Sequence, residues 1–341
     1  MQNDSLTERV AGKFFKPSTI RFLREARKNS DFSLGEILHG YIYGRWPYLY
    51  ISLGTGEHPL TRVLKKPFCL LARVLGCWQD ETTCPGSTLK GTFVRQMKRS
   101  ADEPDNFADT YHGKVVPLHS ARKLIRVDRD LSLPDLERVV PYHEARDIIL
   151  RNPDHIALLD CPCRSSRENP CLPLDVCLIV GEPFAGFIIE HHPGKARWIT
   201  VEEAVQVLEA EDRRGHVHHV FFKKAMLGRY YAICNCCSCC CGAMQAQKNG
   251  VAMLAPSGYL AQVDLEACIG CGTCEAKCQF QAVRVVDGVA EVDPAACMGC
   301  GVCVGGCPEQ AVTLVRDEKE CAPLEIDRLT AGLEPEDRTG R

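Results

Sequence analysis

Cys268-Ile269-Gly270-Cys271-Gly272-Thr273-Cys274-Glu275-Ala276-Lys277-Cys278 and Cys297-Met298-Gly299-Cys300-Gly301-Val302-Cys303-Val304-Gly305-Gly306-Cys307-Pro308 write one cysteine pattern twice, 29 residues apart. The repeat extends past the thiols. Val263-Asp264 matches Val292-Asp293, and Gln281-Ala282-Val283 matches Gln310-Ala311-Val312, so the two halves are predicted to fold alike. Three closely spaced thiolates can hold three corners of an iron-sulfur cube, while the lagging fourth reaches the cube of the other half. Glycines between the cysteines let the backbone turn around an inorganic core, and bring N–H groups to its sulfides. Such hydrogen bonds help set a reduction potential. Zinc also takes clustered cysteines, but as two C-x2-C pairs closing a tetrahedron, which matches this duplicated run poorly.

The region closely resembles the bacterial-type ferredoxin with two 4Fe-4S clusters, over roughly residues 256 to 316. The resemblance implies that Cys268, Cys271, Cys274 and Cys307 hold one cluster and that Cys297, Cys300, Cys303 and Cys278 hold the other. One departure is visible: Gln279 stands where the second half has Pro308.

The 22 cysteines are an even count, which keeps disulfides in view. However, Met1-Gln2-Asn3-Asp4-Ser5 does not begin a charged-then-apolar export signal, so a reducing, cytoplasmic setting is expected. Apolar stretches such as Tyr48 to Leu53 are too short to span a bilayer, so no transmembrane segment is expected. Residues 1 to 100 hold 16 Lys/Arg against 8 Asp/Glu, and residues 251 to 341 hold 7 against 15. An acidic face around a cluster steers basic redox partner proteins. Without a dense basic run interleaved with aromatics, no nucleic acid is expected.

The expected class is α+β, in four parts: a mostly helical N-terminal region (1 to 130), a cysteine-rich metal-binding α+β domain (131 to 255), the ferredoxin-like dicluster domain (256 to 316), and a charged flexible tail (317 to 341) containing Cys321 as an unlikely ligand. In the first part, only Cys69, Cys77 and Cys84 are thiols. Ser18 is placed to cap a helix through about Lys28, and Thr61 to Leu75 is apolar at helical intervals. The aromatic stretch Tyr41 to Tyr50 reads as core, with a docking surface as the alternative, and Ser100 to Asp109 as a loop.

In the second part, Leu136 to Leu150 reads as a helix despite Pro141, and His155 to Asp160 as a short buried strand. Thr200-x2-Glu203 is a capping box before Val201, Ala204, Val205 and Leu208, on a helix ending near Gly215. His216 to Phe222 then reads as a strand. Short strands are expected at Tyr259 to Val263, Val283 to Val286, Val289 to Val292 and Val312 to Val315, with a hairpin turn at Asp287-Gly288.

Ten further cysteines lie in the middle part: Cys161, Cys163, Cys171 and Cys177, then Cys234, Cys236, Cys237, Cys239, Cys240 and Cys241. So many thiols expose one another to oxidation unless metal holds them. Extended Cys161-Pro162-Cys163 turns two side chains to one face. On a helix, Cys237, Cys240 and Cys241 converge with Cys234, leaving Cys236, Cys239 and Cys240 to complete a site begun by Cys161, Cys163, Cys171 and Cys177. One or two additional iron-sulfur clusters are expected, with zinc or metal-free reactive thiols as alternatives. The paired signature ahead of a ferredoxin repeat resembles anaerobe-type 4Fe-4S dicluster-domain proteins over roughly residues 131 to 316, which implies multi-cluster redox work and names no substrate.

His216 and His218 would share a strand face and can ligate iron or donate protons; His219, and the pair His191-His192, also lie between the cysteine blocks. Arg164 can offset the charge of an iron-thiolate site. No glycine loop for nucleotides, flavin or nicotinamide stands out. The chain is therefore expected to relay single electrons as an electron-transfer protein or subunit. The alternatives are an iron-sulfur reductase with a substrate-binding cluster in the middle part, and a redox or metal sensor.

Overall fold

The computed structural model describes residues 15–28, 32–58, 107–134 and 136–331. The helix expected at Thr61 to Leu75 lies outside them, as do Cys69, Cys77 and Cys84. At the centre is a seven-stranded sheet in the order β6-β4-β5-β8-β7-β1-β9: Ala196–Ile199, Ile156–Asp160, Asp175–Val180, Arg229–Cys236, Val217–Lys223, Tyr111–Val116 and Leu254–Ala255. All neighbours are antiparallel except β9, which runs parallel to β1. β1 precedes the boundary expected near residue 131, so the sheet draws on both sides of it.

These strands read as apolar runs because both faces are covered. Ile156 and Leu158 of β4, Leu178 and Val180 of β5, Val220 and Phe222 of β7, and Tyr230 and Ile233 of β8 form one core with the helices Leu118–Ile125 and Val201–Arg213. Each such side chain stabilises the fold by about 1.5–3 kcal/mol. The alternate residues, including Leu159, Cys177, Ile179, Val217, Phe221, Tyr231 and Cys236, form a second core. It is closed by the helices Pro17–Lys28, Leu34–Arg45, Phe184–His191 and Gly242–Lys248. Strand alternation thus assigns the cysteines of β5 and β8 to one face.

Several local expectations change. Ser18 does not cap its helix; it lies within Pro17–Lys28 and bonds through Oγ to Glu190 Oε2 at 2.7 Å. Leu136 to Leu150 is turns ending in a strand, Ile148–Leu150 (β3), paired with Leu131–Leu133 (β2). Its apolar residues are there because Leu136, Val139 and Val140 are buried, and Pro141 cannot continue a helix. Thr200 does cap Val201–Arg213, accepting from Glu203 N–H at 3.2 Å; the Glu203 carboxylate instead pairs with Arg197. Phe107–Thr110, at the end of the stretch expected as a loop, is a short helix. The aromatic stretch is split by Pro47 between the helices Leu34–Arg45 and Pro47–Gly54: Tyr43 is buried, while Trp46 and Leu49 are exposed.

The C-terminal part has the strands expected, as two ribbons. Tyr259–Val263 (β10) pairs with Val312–Arg316 (β13), and Val283–Val286 (β11) with Val289–Val292 (β12) across Asp287-Gly288, both at positive φ as a tight hairpin requires. Residues 317–331, the start of the expected flexible tail, lie against the body: Leu324 and Ile326 are buried in the first core, and Lys114 Nζ reaches Cys321 Sγ at 3.0 Å. Among the described residues no helix is long and apolar enough to cross a membrane.

Candidate metal centres

The repeated cysteines gather in two places. Cys268, Cys271, Cys274 and Cys307 line one small cavity together with Gly270, Gly272 and Glu309. Cys278, Cys297, Cys300 and Cys303 approach one another in the other half, where burial pushes the Cys303 thiol up to about 12 and Cys297, Cys278 and, from the first half, Cys274 add to it. Cys274 and Cys303 each open into a one-turn helix, Thr273–Lys277 and Val302–Gly306. Gly270 and Gly299 adopt positive φ, and a Cβ at either would lie about 2 Å from a backbone oxygen, of Gly288 and Tyr259 respectively. Backbone N–H groups already aim at sulfur: Ala290 N–H donates to Cys268 Sγ at 3.4 Å and Ala282 N–H to Cys278 Sγ at 3.2 Å. Thiols around a cavity with donors directed at them suit iron-thiolate ligation.

The two halves differ in setting. Cys271 is exposed, beside Ile269 at 64% exposure. Cys300, with Met298 and Phe280, packs against the second core of the large sheet. Gln279, the departure from the repeat, accepts the Ser238 N–H at 2.9 Å, in the turn between Cys237 and Cys239.

The ten middle cysteines fall into two groups, and not the two expected. Cys161 follows β4, Cys163 lies in the one-turn helix Pro162–Ser165, Cys177 is on β5, Cys234 and Cys236 are on β8, and Cys241 is the N-cap of Gly242–Lys248. Contacts run from thiol to thiol, Cys234 to Cys177, Cys161, Cys163, Cys241 and Cys236. The six surround a cavity of about 70 Å³ also lined by Tyr43, Tyr111 and Tyr231, and by Cys237 and Cys240. One water needs about 10–15 Å³ on that measure, so the space holds several. Contact with Cys163, then burial, pushes Cys161 up to about 12; burial, against a bond from Cys241, pushes Cys236 to about 12. Such thiols ionise together only when a cation enters, and metal binding supplies it.

The remaining four, Cys171, Cys237, Cys239 and Cys240, place their sulfurs within 4.8 Å of one another. Cys171 Sγ and Cys239 Sγ are 3.1 Å apart, Cys239 Sγ and Cys240 Sγ 3.6 Å. The helical reading of the cysteine run placed Cys234 with Cys237, Cys240 and Cys241, and Cys171 with Cys161. It fails because Cys234 and Cys236 belong to a strand, and the chain then reverses in a turn before Cys241. At Cys240 burial works against ionisation, but bonds from the Cys171 N–H and the thiols of Cys239, Cys237 and Cys171 outweigh it and lower the pKa.

His216 and His218 do not face the thiols. His218 stands opposite Asn235, on the far face, with Nδ1 2.6 Å from Asn235 Oδ1; His216 Nδ1 is 2.7 Å from Glu211 Oε2. His219 is the histidine on the cysteine face: it is paired in register with Cys234, fully buried, and without a hydrogen bond at either ring nitrogen. Period-two counting from Cys234 across a hairpin would have found it, had the pairing been known. His191 and His192 serve the N-terminal helices, through Thr19 Oγ1 and the Gly44 carbonyl, both at 2.8 Å. Arg164 is buried, not a surface residue: Nη2 donates to Glu211 Oε2 at 2.7 Å and to the Asn235 carbonyl at 3.0 Å. Burial opposes its charge, but Glu211 more than compensates and raises its pKa.

A family model of the 4Fe-4S dicluster domain matches residues 267–312. No curated protein and no solved structure matches the chain.

Proposed function

Given a chain whose residues 267–312 form a 4Fe-4S dicluster domain, we propose that this iron-sulfur protein transfers electrons between a redox partner and a further iron-sulfur centre held by the six-thiol ring. The carrying observation is that Cys300, with Met298 and Phe280, packs into the same core as Cys161, Cys177, Cys236 and Cys241. In this reading Cys268, Cys271, Cys274 and Cys307 hold the outer cluster, and Cys278, Cys297, Cys300 and Cys303 the inner one. When bound, the clusters supply one-electron chemistry with little nuclear rearrangement.

The chain's own part is placement. The apolar core keeps water from Cys300 and from the ring thiols, which lowers the local dielectric. Exposed Cys271 stands at the surface beside Glu309, and Glu266 and Glu275, a few residues away along the chain, are exposed acids too. They favour a partner with a basic patch, and Ile269 and Leu265 add an apolar fringe.

The test is to purify the protein without oxygen, count iron and acid-labile sulfide, and record paramagnetic resonance during reductive titration. The dicluster domain alone accounts for roughly eight irons. More iron is expected, with a signal that Cys163→Ser deletes; eight irons and no further signal would sink the proposal.

A second reading, reduction of a substrate at the ring, is favoured by the Tyr43 and Tyr231 hydroxyls, 2.9 Å apart at the cavity. Proton donors there serve bond-making rather than relay. A ring signal perturbed by added small molecules, and restored by their removal, would select it.

A further inference from the structure

Four of the middle thiols are too close together for the cage chemistry of the rest. In a tetrahedron of sulfurs around one ion at about 2.3 Å, neighbouring sulfurs stand about 3.8 Å apart. Cys171, Cys237, Cys239 and Cys240 lie within 4.8 Å of one another, with contacts of 3.1 and 3.6 Å. A cube with four metals between its thiolates needs wider spacing, and the dicluster domain shows the contrast. Among the described residues no three of its eight cysteines come within 4.8 Å of one another, and no three of the six ring thiols do. One fold thus carries two thiol spacings.

The surroundings of the compact group are those of a closed structural site. Arg167 donates through Nη2 and Nε to the Cys240 carbonyl, at 3.0 and 3.3 Å, and through Nη1 to Glu57 at 2.6 Å. The Ser238 N–H is held by Gln279, and its carbonyl by the Gln245 side-chain amide. The Cys241 N–H closes the turn on the Cys237 carbonyl at 3.0 Å. Outer contacts of this kind fix ligand orientation before the metal arrives. All four sulfur positions come from protein, with no nitrogen or oxygen donor among them, which is the donor set of tetrahedral single-ion sites.

We propose that Cys171, Cys237, Cys239 and Cys240 bind a single divalent ion as a tetrathiolate, zinc or a lone iron, and that this ion pins the loop carrying Cys171 to the turn on which the dicluster domain rests through Gln279. It adjoins the six-thiol centre, whose cavity Cys237 and Cys240 also line, but uses none of those six thiols, and it stands whether or not that centre relays electrons.

The experiment measures zinc, iron and acid-labile sulfide per chain in the full-length protein purified anaerobically, for the native sequence and for Cys239→Ser, the exposed ligand and the one least bound to the core. The variant is expected to lose one metal per chain, zinc or iron, with sulfide unchanged. Loss of about four irons with four sulfides would overturn the proposal, as would no loss at all. Should the variant fail to fold, X-ray absorption on the native protein decides. Four sulfurs near 2.3 Å around zinc, or around an iron beyond the sulfide count, support the single ion. Absence of zinc, with all iron accounted for by sulfide, overturns it. Failure of the electron-transfer reading would appear separately, as iron limited to the dicluster domain.

Discussion

The dicluster domain and the seven-stranded sheet gather thiols in opposite ways. In the domain, three cysteines of each half lie within seven residues, and the core between the ribbons is little more than Ala261, Val283, Ala290 and Val312 among cysteines. In the sheet, Cys161 and Cys241 are 80 residues apart, and two apolar cores bring them together. Where thiols are local, a bound metal would supply the folding energy a small core lacks; where they are distant, the fold must be made before they can meet.

The largest expected effect follows from that contrast. Chelation and mild oxidation that strip iron should unfold the ribbons β10/β13 and β11/β12, while the sheet stays folded. Amide exchange followed by mass spectrometry reads both at once: protection at Val283–Val292 and Val312–Arg316 should fall to unfolded values, and that of Val217–Lys223 should persist. If both collapse together, the sheet depends on metal as well and the contrast is wrong.

Next in size is a test confined to the sheet. Arg164 and Glu211 form a buried pair, each carboxylate oxygen being engaged, by Arg164 and by Arg214. Glu211→Leu leaves the guanidinium buried without its counter-charge and should cost about 3–5 kcal/mol, whereas Arg164→Met with Glu211→Leu should recover most of it. Denaturant titration of the two variants measures the difference. Equal losses would mean that neither charge is desolvated as its burial implies.

Legibility in sequence followed the same division. Strands β10 to β13 and the hairpin turn could be read from Val-rich runs and Asp287-Gly288 because a two-ribbon domain is built from neighbours along the chain. The middle cysteines stand out by number, but cannot be sorted from sequence, because sorting needs the pairing of β5 with β8, which no local pattern encodes. Without that pairing the run from Cys234 reads as helical, and His216 and His218 stand out ahead of His219. Leu136 to Leu150 misled for a related reason: its apolar spacing serves two separate structures, a buried turn and the strand β3.

Acid should also separate the regions. His112 of β1 is fully buried, stacked on Tyr142 at 3.8 Å, with Nδ1 2.8 Å from the Ala108 carbonyl. Burial lowers its pKa from 6.5 to about 4, against backbone bonds that raise it. The unfolded chain therefore binds the proton first: the stability is whole above pH 6.5 and is lost as pH falls towards 4, by up to roughly 3 kcal/mol. His112→Phe keeps the stacked ring and removes the titration. Its stability should fall less steeply than the native protein's between pH 6.5 and 4, by about one proton's slope; parallel curves would place the acid response elsewhere.

The smallest effect probes the seam between the two regions. Gln279→Pro restores the symmetry of the repeat, and the backbone can accept it: Cys278 is extended at φ −69°, ψ 104°, close to Cys307 at −80°, 117°, before Pro308. The substitution then removes little but the bond to the Ser238 N–H, worth about 1 kcal/mol. Exchange at the Ser238 amide should rise about five-fold, with the resonance signals of the dicluster domain unchanged, and Gln279→Glu, which keeps an acceptor, should restore protection. Were Gln279→Pro to disturb the clusters themselves, the residue would be serving its own half of the repeat rather than the seam with the thiol-rich turn.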